Sequence, residues 1–160
     1  NRCNNIRDVS KLGSIHTLYL SYSNISDVSN LGSVHNLYLS SCYNISDVSN
    51  LGSVHTLYLI NCKNIRDVSK LGSVHTLYLS YSNISDVSKL CSVYKLDLSY
   101  CKKIKDIGLL RNTKELKLKT KVYGVHLLKN TKIIETKKDL NVSGIKKLLK
   151  INNKINIKFI

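Results

Sequence analysis

Histidine, serine and aspartate recur along this chain at fixed intervals, which makes nucleophilic catalysis the first chemistry to consider. Histidines lie 19 or 20 residues apart, at His16, His35, His55 and His75. Aspartates follow the same interval, at Asp8, Asp27, Asp47, Asp67, Asp86 and Asp106. A Ser-His-Asp triad needs one histidine held between one nucleophile and one carboxylate. Because each residue type is repeated and the two series fall on different sides of the repeating unit, we interpret the aspartates as turn caps and predict no enzymatic activity.

The histidine series could instead hold a metal ion or respond to pH. A zinc site needs three or four converging ligands, whereas side chains repeated at equal intervals form a straight row. The cysteines include no C-x-x-C pair and lie at Cys3, Cys42, Cys62, Cys91 and Cys101. We therefore predict no metal site and no cofactor, and we keep a pH-sensitive strip as an alternative to a purely structural role. An odd number of cysteines favours free thiols and a reducing compartment.

A repeat of 18 to 21 residues positions these series, and it runs through the whole chain. The first apolar residue of each L-x-L pair falls at Leu18, Leu37, Leu57, Leu77, Leu96 and Leu116, then more weakly at Ile134 and Ile155. This period and the pattern L-x-x-L-x-L-x-x-N/C are typical of leucine-rich repeats. The sequence therefore predicts a solenoid built from about eight coils.

The unit VHNLYLSSCYNISDVSNLGS explains how one coil forms. Leu37 and Leu39 alternate with polar or aromatic residues, as in a strand with one buried face. Stacked units would pair these strands in a parallel sheet at a spacing of about 4.8 Å. Asp47 or Ser46 is placed to cap a short helical turn, and Gly52 to end that turn and let the chain reverse. Because one coil cannot bury its own apolar face, stability must come from stacking.

The motif L-x-L-x-x-C/N-x-x-I-S-D-V-S-x-L-G-S-V closely resembles the internalin-like class of leucine-rich repeats over residues 4–112. It also resembles leucine-rich-repeat proteins encoded by large DNA viruses of amoebae, in line with the heavy use of Lys, Asn and Ile. The resemblance implies a right-handed coil with a parallel sheet on the concave face, and turns, 3-10 helices or short α-helices on the convex face. It also implies a protein-recognition surface without catalytic activity. The chain lacks the proline of the internalin turn and carries histidine before each regular strand. The resemblance therefore implies the fold of the internalins but not their binding partners.

Residues between the strand leucines are predicted to face outward on the concave face, in rows that cross the coils. We predict that these rows bind a protein partner; they comprise Tyr19, Tyr38, Tyr58 and Tyr78, with His16, His35, His55, His75, Thr17, Asn36, Thr56 and Thr76 beside them. Tyrosine suits recognition because it offers a large amphipathic contact area at low entropic cost. Stacked tyrosines could equally serve only to stabilise a parallel sheet.

Positive charge is concentrated in the last third of the chain. Residues 1–100 carry eight Lys/Arg and six Asp/Glu, a net charge of +2, whereas residues 101–160 carry seventeen and four, a net charge of +13. This basic region predicts polyanion or nucleic-acid binding as an alternative function, through Lys95, Lys117, Lys119, Lys121, Lys137, Lys138, Lys146 and Lys147. The region has few aromatic residues to stack on bases and no nucleic-acid-binding motif, so a solvated capping surface is the competing interpretation.

We predict a single leucine-rich-repeat domain over residues 1–160, regular in residues 1–106 and degenerate and basic in residues 107–160. A longer helical segment is expected near residues 143–150. The absence of Met and a start inside a repeat suggest a fragment of a longer chain.

The leading functional hypothesis is a non-enzymatic protein-interaction module with an unidentified protein partner, acting as a virus-encoded host-interaction or adaptor protein. A structural component of a viral particle or another assembly is a further alternative. The expected location is the interior of a host cell or a virus particle, with secretion left open. No apolar run is long enough to predict a membrane span.

Overall fold

Eight short parallel strands form one sheet in the computed structural model, which describes residues 6, 8–137 and 142–159. The strands are β1 (Thr17–Tyr19), β2 (Asn36–Tyr38), β3 (Thr56–Tyr58), β4 (Thr76–Tyr78), β5 (Lys95–Asp97), β6 (Glu115–Leu118), β7 (Ile133–Thr136) and β8 (Asn156–Phe159). They pair in chain order, each with the next. This is the leucine-rich-repeat solenoid predicted from the repeat.

The strand leucines face a continuous core, as the alternation of residues predicted. Leu37, Leu57 and Leu77 pair in register and are fully buried. The second strand leucines and the convex-side Ile, Val and Leu residues of each coil close the same core. Since each apolar side chain packs against its equivalents in neighbouring coils, the core is shared between coils and belongs to no single one.

The convex side is made of 3-10 turns, at Ser29–Leu31, Ser49–Ser53, Ser69–Leu71, Ser88–Leu90 and Val125–Leu127. Before each of the first four, an aspartate carboxylate accepts the backbone N–H two residues ahead; the Asp47 Oδ1 to Ser49 N distance is 2.8 Å. This bond satisfies a donor at the start of the turn, as expected of the turn aspartates, although the N-cap residue itself is Val48 and not Asp47 or Ser46.

Glycines at these turns are required by close packing and not by a left-handed backbone. Gly52 lies inside the turn Ser49–Ser53, so the prediction that it ends the turn is wrong. The equivalent Gly32 and Gly72 have right-handed backbone angles, with φ −62°. A Cβ atom added to Gly52 would lie 2.5 Å from the carbonyl oxygen of Lys70 on the next coil. Glycine therefore sets how closely successive coils approach on the convex side.

Left-handed backbone occurs elsewhere, where the chain turns away from each of the first five strands. The residues concerned have φ between 58° and 63° and are Tyr22, Ser41, Asn61, Tyr81 and Tyr100. Such angles are uncommon for residues other than glycine and strain a bulky side chain. Backbone bonds to the next coil hold the conformation; the N–H of Ser41, for example, donates to the Ile60 carbonyl at 2.8 Å.

The last coil is the longest because it contains the only α-helix in the described residues, α1 (Val142–Ile151). This agrees with the helical segment predicted near residues 143–150. The helix packs against the 3-10 turn Val125–Leu127. It delays the start of β8, so that Ile134 pairs with Ile157. The alignment of Ile155 with the strand leucines is therefore wrong, and Ile155 is instead a buried residue preceding the strand.

Candidate functional site

A ladder of stacked tyrosines lies on the exposed face of the first four strands. The ring centroids of Tyr19 and Tyr38 are 4.4 Å apart, those of Tyr38 and Tyr58 4.4 Å, and those of Tyr58 and Tyr78 4.2 Å. The rings are nearly parallel, with interplanar angles of 11° to 19°. Their faces therefore cover one another, and the ladder presents ring edges and hydroxyl groups to solvent.

The hydroxyl groups of the two central tyrosines of this ladder, Tyr38 and Tyr58, remain protonated. Loss of water around the ring raises the pKa of Tyr38, and the neighbouring Tyr58 and Tyr19 add to the effect. Burial also raises the pKa of Tyr58, with a further contribution from its hydrogen bond to Tyr78. Each phenol can thus donate one hydrogen bond and accept others from a bound partner.

A polar row runs beside the tyrosines, on the same sheet face. Thr17, Asn36, Thr56 and Thr76 pair in register across β1 to β4. The Asn36 side-chain amide donates to the Thr17 hydroxyl at 3.1 Å. These residues are partly exposed, so they extend the hydrogen-bonding surface beyond the tyrosines.

A second ladder, of imidazole rings, lies where the chain enters the strands. Centroid separations are 4.7 Å for His16 and His35, 4.6 Å for His35 and His55, and 4.6 Å for His55 and His75. Tyr94 continues the stack at 4.8 Å from His75. Loss of water lowers the pKa of His35, and the charges of His55 and His16 lower it further. Packed this closely, neighbouring imidazoles disfavour simultaneous protonation.

The histidine and aspartate series do not combine into a catalytic or metal-binding group. Among residues 8–137 and 142–159, the hydrogen bonds of His16 and His75 go to the adjacent threonines, and those of the turn aspartates go to backbone N–H groups. No group of three or more His, Cys, Asp or Glu in this part of the chain could hold a metal ion. The internalin-type leucine-rich-repeat fold is generally non-catalytic.

Three cysteines of the repeat, Cys42, Cys62 and Cys101, are buried free thiols, and Cys91 is a partly buried one; Cys3 lies outside the described residues. Cys62 donates its thiol to the Leu39 carbonyl at 3.1 Å, and Cys101 donates to Leu79 in the same way. Burial raises the pKa of Cys62 to about 12 and also raises that of Cys101. These thiols therefore satisfy backbone carbonyls and are poor nucleophiles.

The lysines predicted to bind polyanions are spread over several surfaces. On the concave face, Lys95 pairs with Glu115 at 3.3 Å and Lys117 with Glu135 at 3.6 Å. The ammonium groups of Lys119 and Lys137 lie over the Tyr100 ring at 5.7 and 5.6 Å from its centroid.

The remaining lysines of that set lie on the convex side or outside the described residues. Lys121 and Lys147 line a cavity of about 490 Å³ beside Tyr123. Lys146 is exposed on α1, and Lys138 lies outside the described residues. No helix in the described part of the chain is long and apolar enough to cross a membrane.

Two features of the structure were not predicted from the sequence. One is the stacked pair Tyr81 and Tyr100 at 4.5 Å, placed by left-handed residues that no glycine or Asn-Gly signal marks. The other is a recess of about 310 Å³ where the tyrosine ladder stops. The sequence signal for it was the change from Tyr78 to Asp97 at one ladder position, but the depth that the change creates depends on packing.

Comparison with known proteins supports the fold through solved structures alone. No protein-family model and no curated protein sequence matches the chain. The solved structure of an internalin, InlF, from Listeria monocytogenes matches with a TM-score of 0.70 and 25% identity, covering 97% of this chain and 51% of that one. A leucine-rich-repeat protein of Leptospira interrogans matches with a TM-score of 0.62 and 19% identity, over 94% of this chain and 50% of that one.

A third match is the functional domain of InlJ from Listeria monocytogenes, described as including a cysteine ladder. Its TM-score is 0.51 and its identity 16%, over 99% of this chain and 51% of that one. The chain thus spans about half the length of these solved chains. The parallel eight-stranded sheet, the 3-10 turns and these matches agree. The chain folds as a leucine-rich-repeat solenoid that resembles those of the internalins.

Proposed function

We propose that the chain is a non-enzymatic module that binds another protein through its concave face. Leucine-rich-repeat folds typically mediate protein–protein interactions, which supports the class of function. The observation that carries the proposal is the tyrosine ladder, because it places four aromatic side chains side by side on the sheet face opposite the core. Tyrosine is enriched in protein interfaces, where an apolar ring and a polar hydroxyl are both useful.

The rigidity of the stacked tyrosine side chains also supports a binding role for the concave face. Each of Tyr38 and Tyr58 is stacked on both faces, so its rotamer is held before any partner arrives. Side chains that are already ordered lose little conformational entropy on binding. The hydroxyl row, flanked by the threonines and Asn36, would then supply hydrogen bonds to an incoming backbone or to polar side chains.

The test compares the wild-type chain with a Tyr38→Ala/Tyr58→Ala double variant. Partners are first recovered on the immobilised wild-type chain, and their binding is then measured with purified components. The matched control is Tyr123→Ala, since Tyr123 is 72% exposed and lies outside the eight strands. We expect the double variant to bind its partner at least about tenfold more weakly, which corresponds to a loss of about 1.4 kcal/mol of binding free energy. The control should bind normally. Unchanged binding in a double variant that remains folded would refute the concave face as the interface.

The finer proposal is a virus-encoded host-interaction or adaptor role inside a host cell or virus particle. It is supported by the sequence motif of the repeat, which resembles leucine-rich repeats of large DNA viruses, and by the heavy use of Lys, Asn and Ile. Mass spectrometry of purified particles and of infected host cells provides the test, and absence of the protein from both would refute the role.

Polyanion binding is a second candidate, supported by one specific arrangement. Lys119 and Lys137 place two ammonium groups over the Tyr100 ring, and neither forms an ion pair with a described carboxylate. Nucleic-acid binding through such groups should weaken steeply with salt. Filter binding of single-stranded DNA at low and physiological salt, with Lys119→Gln/Lys137→Gln as the variant and Lys102→Gln/Lys103→Gln as the control, decides this candidate. Salt-independent binding, or equal binding by both variants, would exclude this site.

A further inference from the structure

The tyrosine ladder ends abruptly in the middle of the concave face. Tyr78 stacks on Tyr58, and in the strand register its next neighbour is Asp97. No described aromatic ring covers the other face of Tyr78. A short aspartate in the place of a ring leaves a recess of about 310 Å³, whose walls include Tyr78, Lys95, Asp97, Glu115, Lys117 and Glu135. This volume is at the lower end of the range for ligand sites.

The charges around this Asp97 recess are paired, except for those of Asp97 and Lys158; Lys117 lies opposite Asp97 in the strand register but pairs with Glu135. Lys95 and Glu115 form one ion pair, and Lys117 and Glu135 form another. Asp97 is only 9% exposed as a residue, and its carboxylate accepts the Ser99 N–H at 2.8 Å. No lysine, arginine or histidine among the described residues lies within ion-pairing distance of it. A largely buried carboxylate with one hydrogen bond and no ion-pair partner can interact favourably with a further cation.

Lys158 also lines the recess but is too far from Asp97 to form an ion pair with it. The strand register places Glu135 opposite Lys117 and Lys158 opposite Glu135, so β8 is three strands from β5. At roughly 4.8 Å per strand, the two backbones are about 14 Å apart. At the end of the recess against Tyr78, Asp97 lacks an ion-pair partner because the neighbouring Lys95 and Lys117 pair with Glu115 and Glu135. Lys158 lies at the other end, toward β8.

The end against Tyr78 combines one open aromatic face with one carboxylate that has no ion-pair partner, which limits the chemistry of its ligand. A neutral aromatic ring would continue the stack but would bury the carboxylate further without a cation. An ammonium group would neutralise the charge without covering the ring as a planar group does. A guanidinium group satisfies both, because it is planar, stacks on aromatic faces and donates two parallel hydrogen bonds to a carboxylate.

We propose that the Asp97 recess receives an arginine side chain of the protein partner, stacked on Tyr78 and paired with Asp97. The inference rests on the proposed function, since it identifies one side chain of the partner that docks on the concave face. The arginine would occupy the fifth position of the ladder, where this chain has no ring of its own.

The recess can be tested without knowing the partner. N-acetyl-arginine amide is titrated into the full chain and followed by NMR chemical-shift changes, with N-acetyl-citrulline amide as the uncharged ligand of the same shape. Hydrogen bonds to charged groups contribute about 1.5–3 kcal/mol, so we expect the arginine compound to bind at least about tenfold more tightly than citrulline. N-acetyl-lysine amide should also bind more weakly, because it cannot stack.

Two variants assign the binding to this recess. Asp97→Asn keeps an acceptor for the Ser99 N–H but removes the charge, and should weaken arginine binding about tenfold or more. Asp97→Tyr should fill the recess with a fifth ring and abolish binding. Asp86→Asn, which removes a carboxylate from a convex turn, is the control and should bind arginine like the wild type. If an Asp97 variant fails to fold, Tyr78→Leu removes the stacking face instead and should give the same loss.

The outcomes distinguish this inference from the function on which it rests. Equal binding of arginine and citrulline, or unchanged arginine binding in Asp97→Asn, overturns the arginine site. The tyrosine-ladder interface is then still tested separately by Tyr38→Ala/Tyr58→Ala. Loss of partner binding in Asp97→Asn together with loss in Tyr38→Ala/Tyr58→Ala supports both. Arginine binding at the recess with no effect of the tyrosine variants on partner binding retains the site and rejects the ladder.

Discussion

Two buried threonines show how single residues weaken the otherwise regular stack. Val34, Val54, Val74 and Val93 occupy one fully buried position of successive coils, and Thr113 and Thr131 follow them at that position. Neither threonine hydroxyl has a hydrogen-bond partner in the described structure. Burying an unpaired hydroxyl costs free energy that valine, which has nearly the same shape, does not incur.

Thr113→Val should therefore stabilise the protein. We expect the free energy of unfolding to rise by about 1 kcal/mol, because an unsatisfied buried hydroxyl is removed while the packing volume is retained. That gain corresponds to an increase in Tm of roughly 2–4 °C for a chain of this size. Thermal unfolding followed by circular dichroism measures it, and the reverse change Val54→Thr should destabilise by a similar amount. A lower Tm for Thr113→Val would mean that the hydroxyl has a partner.

The imidazole ladder makes stability depend on pH near neutrality. The pKa of His35 in the folded chain lies below its ordinary value of 6.5, so the unfolded chain binds protons more readily as pH falls. The contribution is fully present above pH 6.5 and is lost as pH falls toward the folded-state pKa. The turn aspartates act in a separate range, because the hydrogen bond from Ser49 keeps the pKa of Asp47 below 3.8.

We therefore expect Tm to fall between about pH 7.5 and pH 5.5, in the range where His35 begins to bind protons. His35→Gln should reduce this fall, because it removes the central imidazole and relieves its neighbours. His126→Gln is the control, since His126 lies in a convex 3-10 turn away from the ladder. A pH dependence that is the same in wild type and His35→Gln would contradict the assignment to the ladder.

At the scale of the element, the 3-10 turn and its glycine set the spacing of the coils. Gly13, Gly32, Gly52 and Gly72 each face a carbonyl oxygen of the next coil at a distance that excludes a Cβ atom. Cys91 occupies the same position in the fifth coil. The following coil has no 3-10 helix at Leu110, so its backbone differs at the point of contact.

Gly52→Ala should accordingly destabilise the protein, although the backbone angle suits alanine. The added methyl group must displace the Lys70 carbonyl, and we expect a loss of about 1–3 kcal/mol, typical of overpacking. Chemical denaturation measures the loss. Ser53→Ala, a neighbouring change at an exposed position, is the control and should be nearly neutral. A gain in stability from Gly52→Ala would show that the coils can separate at little cost.

At the scale of the whole molecule, charge is distributed unevenly along a solenoid that has one continuous core. Residues 1–100 have a net charge of +2 and residues 101–160 a net charge of +13. The two ion pairs on the concave face are partly exposed, at side-chain exposures of 31% to 48%, and exposed pairs contribute at most about 1 kcal/mol each. Repulsion among the remaining lysines therefore opposes compaction of the last coils.

Moderate salt should consequently raise Tm. The Debye length falls from about 10 Å at 0.1 M to about 3 Å at 1 M ionic strength, so added sodium chloride screens the lysines from one another. Thermal unfolding at several salt concentrations measures the change, with Lys102→Gln/Lys103→Gln expected to reduce it. A Tm that falls with salt would instead mean that the concave ion pairs outweigh the repulsion.

The sequence alone determined the repeat, the strand positions and the side of the sheet on which each residue lies. Leu37 and Leu57 had to face the core because alternate residues of a strand point to opposite faces, and equal spacing along the chain becomes stacking in space. For the same reason Tyr38 and Tyr58 had to lie beside each other on the outer face. The register was lost only at Ile155, where α1 lengthens the coil.

Only the tertiary structure decided the features that depend on distances between coils. Gly52 is needed because a carbonyl of the next coil lies against it, a contact made by residues 18 positions apart in the chain. The Tyr38 ring has its faces covered, so the ladder offers hydroxyl groups and edges to a partner. In the sequence Asp97 is one more polar residue on the outer face, yet packing leaves the residue only 9% exposed beside the open face of Tyr78. Periodicity specifies which residues become neighbours; the sizes of those neighbours specify how close they lie and what space they leave.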